Sequence, residues 1–505
     1  MNYPTAESIY TSLEGDRWNY VDRARQCSKL SLPYIMPDEG FGAHSRLETP
    51  FQGMGARGVN NLASKLLLAL LPPNAPFFRY QVDQQQLIEE GADEEFISET
   101  EVALQKMEKS IMDEIAQENY RVVLHESLKH LIITGNALLF MPQTGGMRTY
   151  HLNRYVVDRD PMGNVIKVAV KESISYEHLP ESVKAQVSAE SKKDKVCDLY
   201  TAMCKEGDKW HTFQDVNGIR IPDVGGLTDN PPFLPLRFSR VDGESYGRGY
   251  IEEYLGDLQS LESLTRAIVE GSAVSAKCIF LVNPNGTTRA KAIAESPNGA
   301  IVSGQAADVT TLQVQKSADL NVAMQAIGPI KERLAHSFLI SSAQVRNAER
   351  VTAEEIRMLS QELETALGGL YSLLATELQL PMVKALEYNM SKDKKLPKLP
   401  KDLVKPVIVT GIEALGRGND LSRLDSFIAG AAQVVGPDAI MNTLNVSEYF
   451  KRRATALGID TQSLLKSPQE MQAEQQQAQQ MAMVEKLGPN AINAVSQQAA
   501  AQQQQ

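Results

Sequence analysis

The stretch Arg237-Phe-Ser-Arg-Val-Asp-Gly-Glu-Ser-Tyr-Gly-Arg-Gly-Tyr-Ile-Glu-Glu-Tyr-Leu-Gly-Asp-Leu258 is a glycine- and carboxylate-rich joint that feeds a long helix. Inside it, Gly243-Glu244-Ser245-Tyr246-Gly247 spells G-x-S-x-G, the pattern of a nucleophile elbow, with a strand-like run (Phe233 to Phe238) before it and a helix after it. A serine hydrolase built on Ser245 would need an acid and then a histidine downstream. His336 is the single histidine beyond Ser245, and Asp308 and Asp319 are the acids on offer. The intervening chain lacks the alternation of strands and helices that builds a parallel sheet. The competing reading is a glycine turn entering a helix, with Asp242 and Glu244 near the positive helix N-terminus.

Downstream of the joint, Ile251, Leu255, Leu258, Leu261, Leu264 and Ile268 recur every three or four residues, which predicts one amphipathic helix over 251–277. Its other faces carry Glu252, Glu253, Asp257, Glu262 and Glu270. Short strand-like runs follow at 277–282, 299–303 and 309–315, joined by Asn283-Pro284-Asn285-Gly286 and Ser296-Pro297-Asn298. A second helix is expected over 318–341, with a kink or a helix start near Gly328-Pro329, because an interior proline removes a backbone donor. A polar loop bearing Arg346 and Arg350 leads to Thr352 and Glu355, a capping box, and then to leucines at helical spacing from Ile356 to Leu378. Gly368-Gly369 and Pro381 are expected to bend or end that helix.

Upstream, helices are expected over 5–32, 59–71, 93–117 and 121–134, the last stopped by Gly135. Strands are expected at 137–141, in a hairpin of 155–157 with 165–170 around Asp160-Pro161-Met162-Gly163-Asn164, and through 197–213 and 219–238. The first half is therefore a mixed α+β domain. Near the end, 406–411 reads as a returning strand, 421–457 as further helices, and the chain closes on a Gln/Ala-rich tail that composition marks as disordered unless packed.

Two motifs fail in context. Gly53-Met54-Gly55-Ala56-Arg57-Gly58 matches G-x-G-x-x-G, but Thr49-Pro50-Phe51-Gln52 is no buried strand. His125 and His130 are five apart, about 140° around a helix, where zinc needs the i, i+4 face. The four cysteines fit neither a disulfide framework nor a zinc spacing. The net charge of −11 over 505 residues argues against tight phosphate gripping, yet suits a passage that DNA must slide through. The sequence shows no secretory signal, no apolar run long enough to span a bilayer, no P-loop, and no site asking for a cofactor or metal.

Three blocks, Asn60-Asn61-Leu62-Ala63-Ser64-Lys65-Leu66, Asp242-Gly243-Glu244-Ser245-Tyr246-Gly247-Arg248 and Arg350-Val351-Thr352-Ala353-Glu354-Glu355-Ile356, resemble in order the portal, or head-to-tail connector, proteins of short-tailed podovirus-type phages. The resemblance runs through most of the chain and is weakest after about residue 420. It implies an α+β portal fold: a wing over 1–250, stem helices at 251–277 and 318–341, a clip at 278–317, a tunnel loop at 342–351, a long helix with a return strand over 352–417, a crown over 418–487 and a tail over 488–505. It further implies a ring of twelve copies around a double-stranded DNA channel. The expected partners are the terminase large subunit, a tail adaptor, and the major capsid and scaffolding proteins; no membrane and no enzymatic step are expected. On this reading Gln344, Arg346, Asn347 and Arg350 meet DNA in the tunnel loop. Glu252, Glu253, Asp257, Glu262 and Glu270 keep the stem lumen negative, and Asn283, Asn285, Arg289 and Lys291 lie at the clip docking surface.

Overall fold

The computed structural model describes residues 4–340 apart from 39, 41–44, 73–75, 83–93, 144–145, 185–195, 276–278 and 313–316. Further along it describes 363–392 apart from 364 and 368, then 404–408, 426–430, 433 and 449. The chain divides into two compact units, Met1–Ile412 and Glu413–Gln505. In the second unit residues 426–430, 433 and 449 are helical, as the sequence suggests for this part; the remaining crown and tail expectations fall outside the described residues.

The first unit begins with α1 (Ala6–Lys29), whose N-cap Thr5 accepts from the Ser8 amide through its hydroxyl. Its apolar stripe of Ile9, Tyr10, Val21 and Ala24 lies on a five-stranded antiparallel sheet ordered β4 (Tyr155–Arg159), β5 (Val165–Ser175), β6 (Val196–Glu206), β7 (Lys209–Val216) and β8 (Ile219–Thr228). The β4–β5 turn is closed by Asp160, which accepts the Asn164 amide at 2.8 Å, and by Gly163 at φ 84°. This is the anticipated hairpin and β-rich stretch, with β5 longer than the sequence suggests.

The larger core gathers α2 (Met54–Leu70), α3 (Glu94–Gln117), α4 (Tyr120–Thr134), β2 (Asn136–Phe140) and β9 (Phe233–Arg237) with the helical stretch Leu370–Lys392. α4 stops at Gly135, whose φ of 75° is the left-handed cap that glycine permits. Strands β3 (Arg148–Tyr150), β2 and β9 form a second sheet in that order. β1 (Phe78–Val82) pairs antiparallel with β12 (Val404–Ile408), Phe78 opposite Ile408, so the returning strand closes on the first half of the chain. β1 and β3 were not legible in the sequence.

The arm departs from expectation in three places. The helix expected over 251–277 is broken: a short turn, Tyr250–Glu253, precedes α5 (Leu255–Ser275), with Tyr254 at φ −108°, ψ 12°. The Tyr254 ring packs against Tyr250 and Phe338, and this aromatic cluster takes priority over helical continuity. Second, β10 (Ile279–Val282) and β11 (Val309–Leu312) pair as a lone antiparallel ribbon, while 299–303 is not a strand and Ala290–Ala294 forms a helical turn instead. Third, α6 (Ser317–Ser337) runs through Pro329 as one helix, so no helix start occurs there.

Helical residues resume at 363 and 365–367, Gly369 stands in a turn, and helix continues from Leu370. A wide π turn, Ala375–Gln379, then passes into α7 (Leu380–Lys392). Pro381 neither ends nor caps that helix. It has no N–H to offer the carbonyl four residues back, and the wide turn directly precedes it. The turn also corrects phase: Leu370, Leu374, Leu378, Met382, Leu386 and Met390 are buried at steps of four, which drift about 40° per step on a regular helix.

Candidate functional site: the stem, its root and the clip

The glycine joint is a packing device. A Cβ at Gly135 would lie 2.4 Å from the Arg248 backbone carbon, one at Gly247 2.7 Å from the Gly135 oxygen, and one at Gly249 2.5 Å from the Ile133 oxygen. Asn136 completes the crossing as a backbone mimic: its amide nitrogen donates to the Gly247 oxygen and its amide oxygen accepts the Gly247 N–H, both at 2.8 Å. The Ser245 carbonyl accepts from Arg159, and the Tyr246 hydroxyl accepts the Val157 N–H.

The hydrolase constellation does not come together. Asp319 is in the first turn of α6 and His336 in its last, about 25 Å apart at 1.5 Å rise per residue. Asp308 is engaged within the clip by Thr287 and Thr288. The other two motifs resolve equally plainly. Gly55 and Gly58 lie within α2, where a Cβ would stand 2.2 Å from the Leu30 oxygen and 2.5 Å from the Phe338 ring. His125 faces the Ser64 hydroxyl at 3.2 Å, whereas His130 is buried, and desolvation pushes its pKa down to about 3.

The five acids expected to line a stem lumen divide. Asp257 receives both Nε and a terminal nitrogen of Arg333, at 2.9 and 2.6 Å, and that guanidinium holds its carboxyl below the usual aspartate range. The pair links α5 to α6. Glu262 accepts the consecutive amides of Phe51 and Gln52 at 3.1 Å each and lies 3.7 Å from Arg266, so it anchors the segment leading into α2. Glu252 stands 3.6 Å from both Arg23 and Arg248. Among the described residues, only Glu253 and Glu270 of the five carry no ion pair. Glu253 borders a cleft of about 540 Å³ lined by Phe238, Tyr250, Leu367, Leu370 and Leu373, and desolvation followed by the Glu252 charge raises its pKa. Gln344, Arg346, Asn347 and Arg350, with the Thr352–Glu355 capping box, lie outside the described residues.

The segment 278–317, expected to be a clip, carries a charge inside and apolar residues outside. At its centre the Asp308 carboxylate accepts the Thr288 amide and the hydroxyls of Thr287 and Thr288 at 3.0–3.2 Å, bonds that lower its pKa. Ile279, Phe280 and Leu281 are each more than half exposed, and Ile301 is fully exposed. Of the expected docking residues, Asn283 accepts the Asn285 amide through its side chain, which ties both to the turn, although both remain exposed. Lys291 makes a loose 3.8 Å pair with Glu295, and Arg289 is exposed beside it.

One cluster gave no sequence signal. Glu377, on the π turn, accepts three bonds from Arg237, through its backbone N–H, Nε and a terminal nitrogen, and lies 3.5 Å from Arg159. Both guanidiniums are buried, and Arg159 also donates to the carbonyls of Gly163, Pro235 and Ser245. Desolvation lowers the Arg159 pKa to about 10. Among the described residues, no helix is long and apolar enough to cross a membrane, and no cluster of side chains is suited to hold a metal ion.

A family model described as bacteriophage head to tail connecting protein matches residues 4–465. The portal protein of Escherichia phage T7 is 40% identical over 491 residues, covering 95% of this chain and 91% of that protein. The portal protein of Enterobacteria phage SP6 is 32% identical over 507 residues, covering 97% and 96%. Among solved structures, the neck of a native gene transfer agent particle, computed with C12 symmetry, aligns over 80% of this chain and 92% of its own at 9% identity, with a TM-score of 0.35. The match over nearly the full length, at identities of 30% and above, places the chain in the bacteriophage head-to-tail connecting family, the family of the portal proteins.

Proposed function

We propose that the protein forms a ring, of twelve copies, at one vertex of a phage capsid and serves as the channel for double-stranded DNA. A terminase motor would drive the DNA inward through it, and the same ring would later receive the tail adaptor and release the genome. Its place is the virion, and its role is structural and conductive rather than catalytic. Beyond family membership, the observation that carries this reading is the apolar surface of the stem–clip arm. Val269, Val274, Ile279, Phe280, Leu281, Ile301, Val322 and Met324 all remain exposed in the single chain. So much uncovered apolar surface marks an interface, and a ring of copies covers it on both flanks.

Within the channel, Glu253 and Glu270 are the stem acids left to repel the DNA backbone, and Arg346 and Arg350, with Gln344 and Asn347, are the groups to touch it. The clip's ribbon edges and its exposed Asn283, Asn285, Arg289 and Lys291 are the docking surface for motor and adaptor. Charge reversal at Arg346 tests the channel: packaged DNA length or its retention falls, and normal packaging with normal retention contradicts the assignment. Removing residues 285–296 tests the clip: rings persist but fail to bind motor or tail, and rings that still bind both contradict it.

A further inference from the structure

We infer that Asn61 and Lys65 of α2 are positioning residues that fix how the second stem helix ends, and with it the direction in which the chain leaves toward residues 341–351; this rests on the channel reading above. Neither the hydrolase nor the nucleotide motif involves the block from Asn60 to Leu66. Asn61 and Lys65 are one helical turn apart and share a face. That face meets the last carbonyls of α6.

The end of α6 can be accounted for group by group. The Phe338 amide donates to the Leu334 oxygen, the Leu339 amide to His336 and the Ile340 amide to Ala335, which is the paired five-to-two and six-to-one pattern of a Schellman ending. The Ser337 oxygen accepts the Tyr250 hydroxyl at 2.9 Å. The Phe338 oxygen accepts from Asn61 at 2.9 Å. The Leu339 oxygen accepts from Asn61 at 3.1 Å and from the Lys65 ammonium at 3.0 Å. Every carbonyl from Leu334 to Leu339 thus has a donor, and those after His336 are met from other elements.

The residue at the turning point is Leu339, at φ +53°, where such endings favour glycine. A leucine held left-handed needs outside constraint, and the Asn61 and Lys65 donors to its own carbonyl provide it. Lys65 is only 2% exposed, so its charge is set within the fold at the negative end of α6. The Phe338 ring pressed on Gly58 completes the socket. The wing therefore dictates the exit of the stem helix, and a hydrophobic contact alone would not fix that direction.

The test replaces both donors by apolar side chains of similar length, Asn61→Leu with Lys65→Met, in the full chain supplied to a phage lacking its own portal. Rings should still form, melting somewhat earlier because two carbonyls lose their donors, while DNA-filled heads drop by at least about tenfold, because the support of the channel segment is loosened. Asn61→Gln with Lys65→Arg, which keeps the donors, should restore filling. Wild-type filling by the apolar pair overturns the inference. Should that pair fail to fold, the single change Lys65→Met decides by hydrogen exchange: Leu339 and Ile340 amides that exchange at least about tenfold faster than in wild type, with the middle of α6 unchanged, support it, and unchanged exchange there overturns it. Wild-type protein that forms no rings would refute the channel reading, a separate outcome.

Discussion

Glu377→Ala should unlock the wing from the long helix. In the wild type the carboxylate accepts three bonds from Arg237 and faces Arg159, with both guanidiniums almost wholly buried. Removing it leaves two cations in the core with no anion between them. Breaking a buried pair in this way costs about 3–5 kcal/mol, because the surviving charge stays desolvated and uncompensated. Divided by 1.36 kcal/mol per tenfold, that is about two to nearly four powers of ten in the local opening equilibrium. Native-state hydrogen exchange reads it directly at the amides of β9 and its partner β2. Arg237→Met combined with Glu377→Met should recover most of the loss, since Arg159 keeps its bonds to Gly163, Pro235 and Ser245. A loss under about 1 kcal/mol for Glu377→Ala would refute the reasoning, because it would mean the pair behaves like an exposed one.

Gly58→Leu puts a Cβ 2.5 Å from the Phe338 ring and should destabilise the stem root by about 1–3 kcal/mol, measured by urea unfolding; an unchanged midpoint would show that the root is loosely packed. Asp308→Ala should strip protection from the Thr288 amide while leaving wing amides untouched, and acid below about pH 4 should loosen the wild-type clip in the same way, because a carboxyl pKa lowered by folding gives stability that is full above the ordinary aspartate value and is lost as pH falls through the folded one. Acid should also weaken the wing itself. His130 and His151 have pKa values depressed to about 3 and about 4, chiefly by burial, so the unfolded chain takes up their protons first. Stability then falls as pH drops below about 6.5, by up to about 1.4 kcal/mol per histidine per pH unit, and levels off below the folded values. Thermal melts from pH 7.5 to 5 check this, and His130→Leu should roughly halve the slope.

The sequence was most legible where one physical signal dominated. The amphipathic α1, Gly135 ending α4, and the Asp160–Asn164 turn each follow from local chemistry, and the structure has them within a few residues. It was least legible where a distant partner decides. β1 and β12 lie more than 300 residues apart in the chain and become strands by pairing with each other. Ile301 and Val302 read as strand because they are β-branched, but with no partner edge in the single chain they stay exposed and irregular. For the stem acids, periodicity placed them on a helix without saying which would be claimed. Arg333, the amides of Phe51 and Gln52, and Arg23 with Arg248 take three of the five, and all but Arg248 come from outside that helix and its joint. Glu377 was invisible because its role depends on the π turn, which no local pattern announces.

The central claim is that this chain closes into a ring with a central channel. Negative-stain electron microscopy of the purified protein, with light scattering for mass, tests it most directly. The account predicts closed rings with a stain-filled hole and a mass near twelve times 55.6 kDa. Compact monomers that stay monomeric when scaffolding and capsid proteins are added would contradict it.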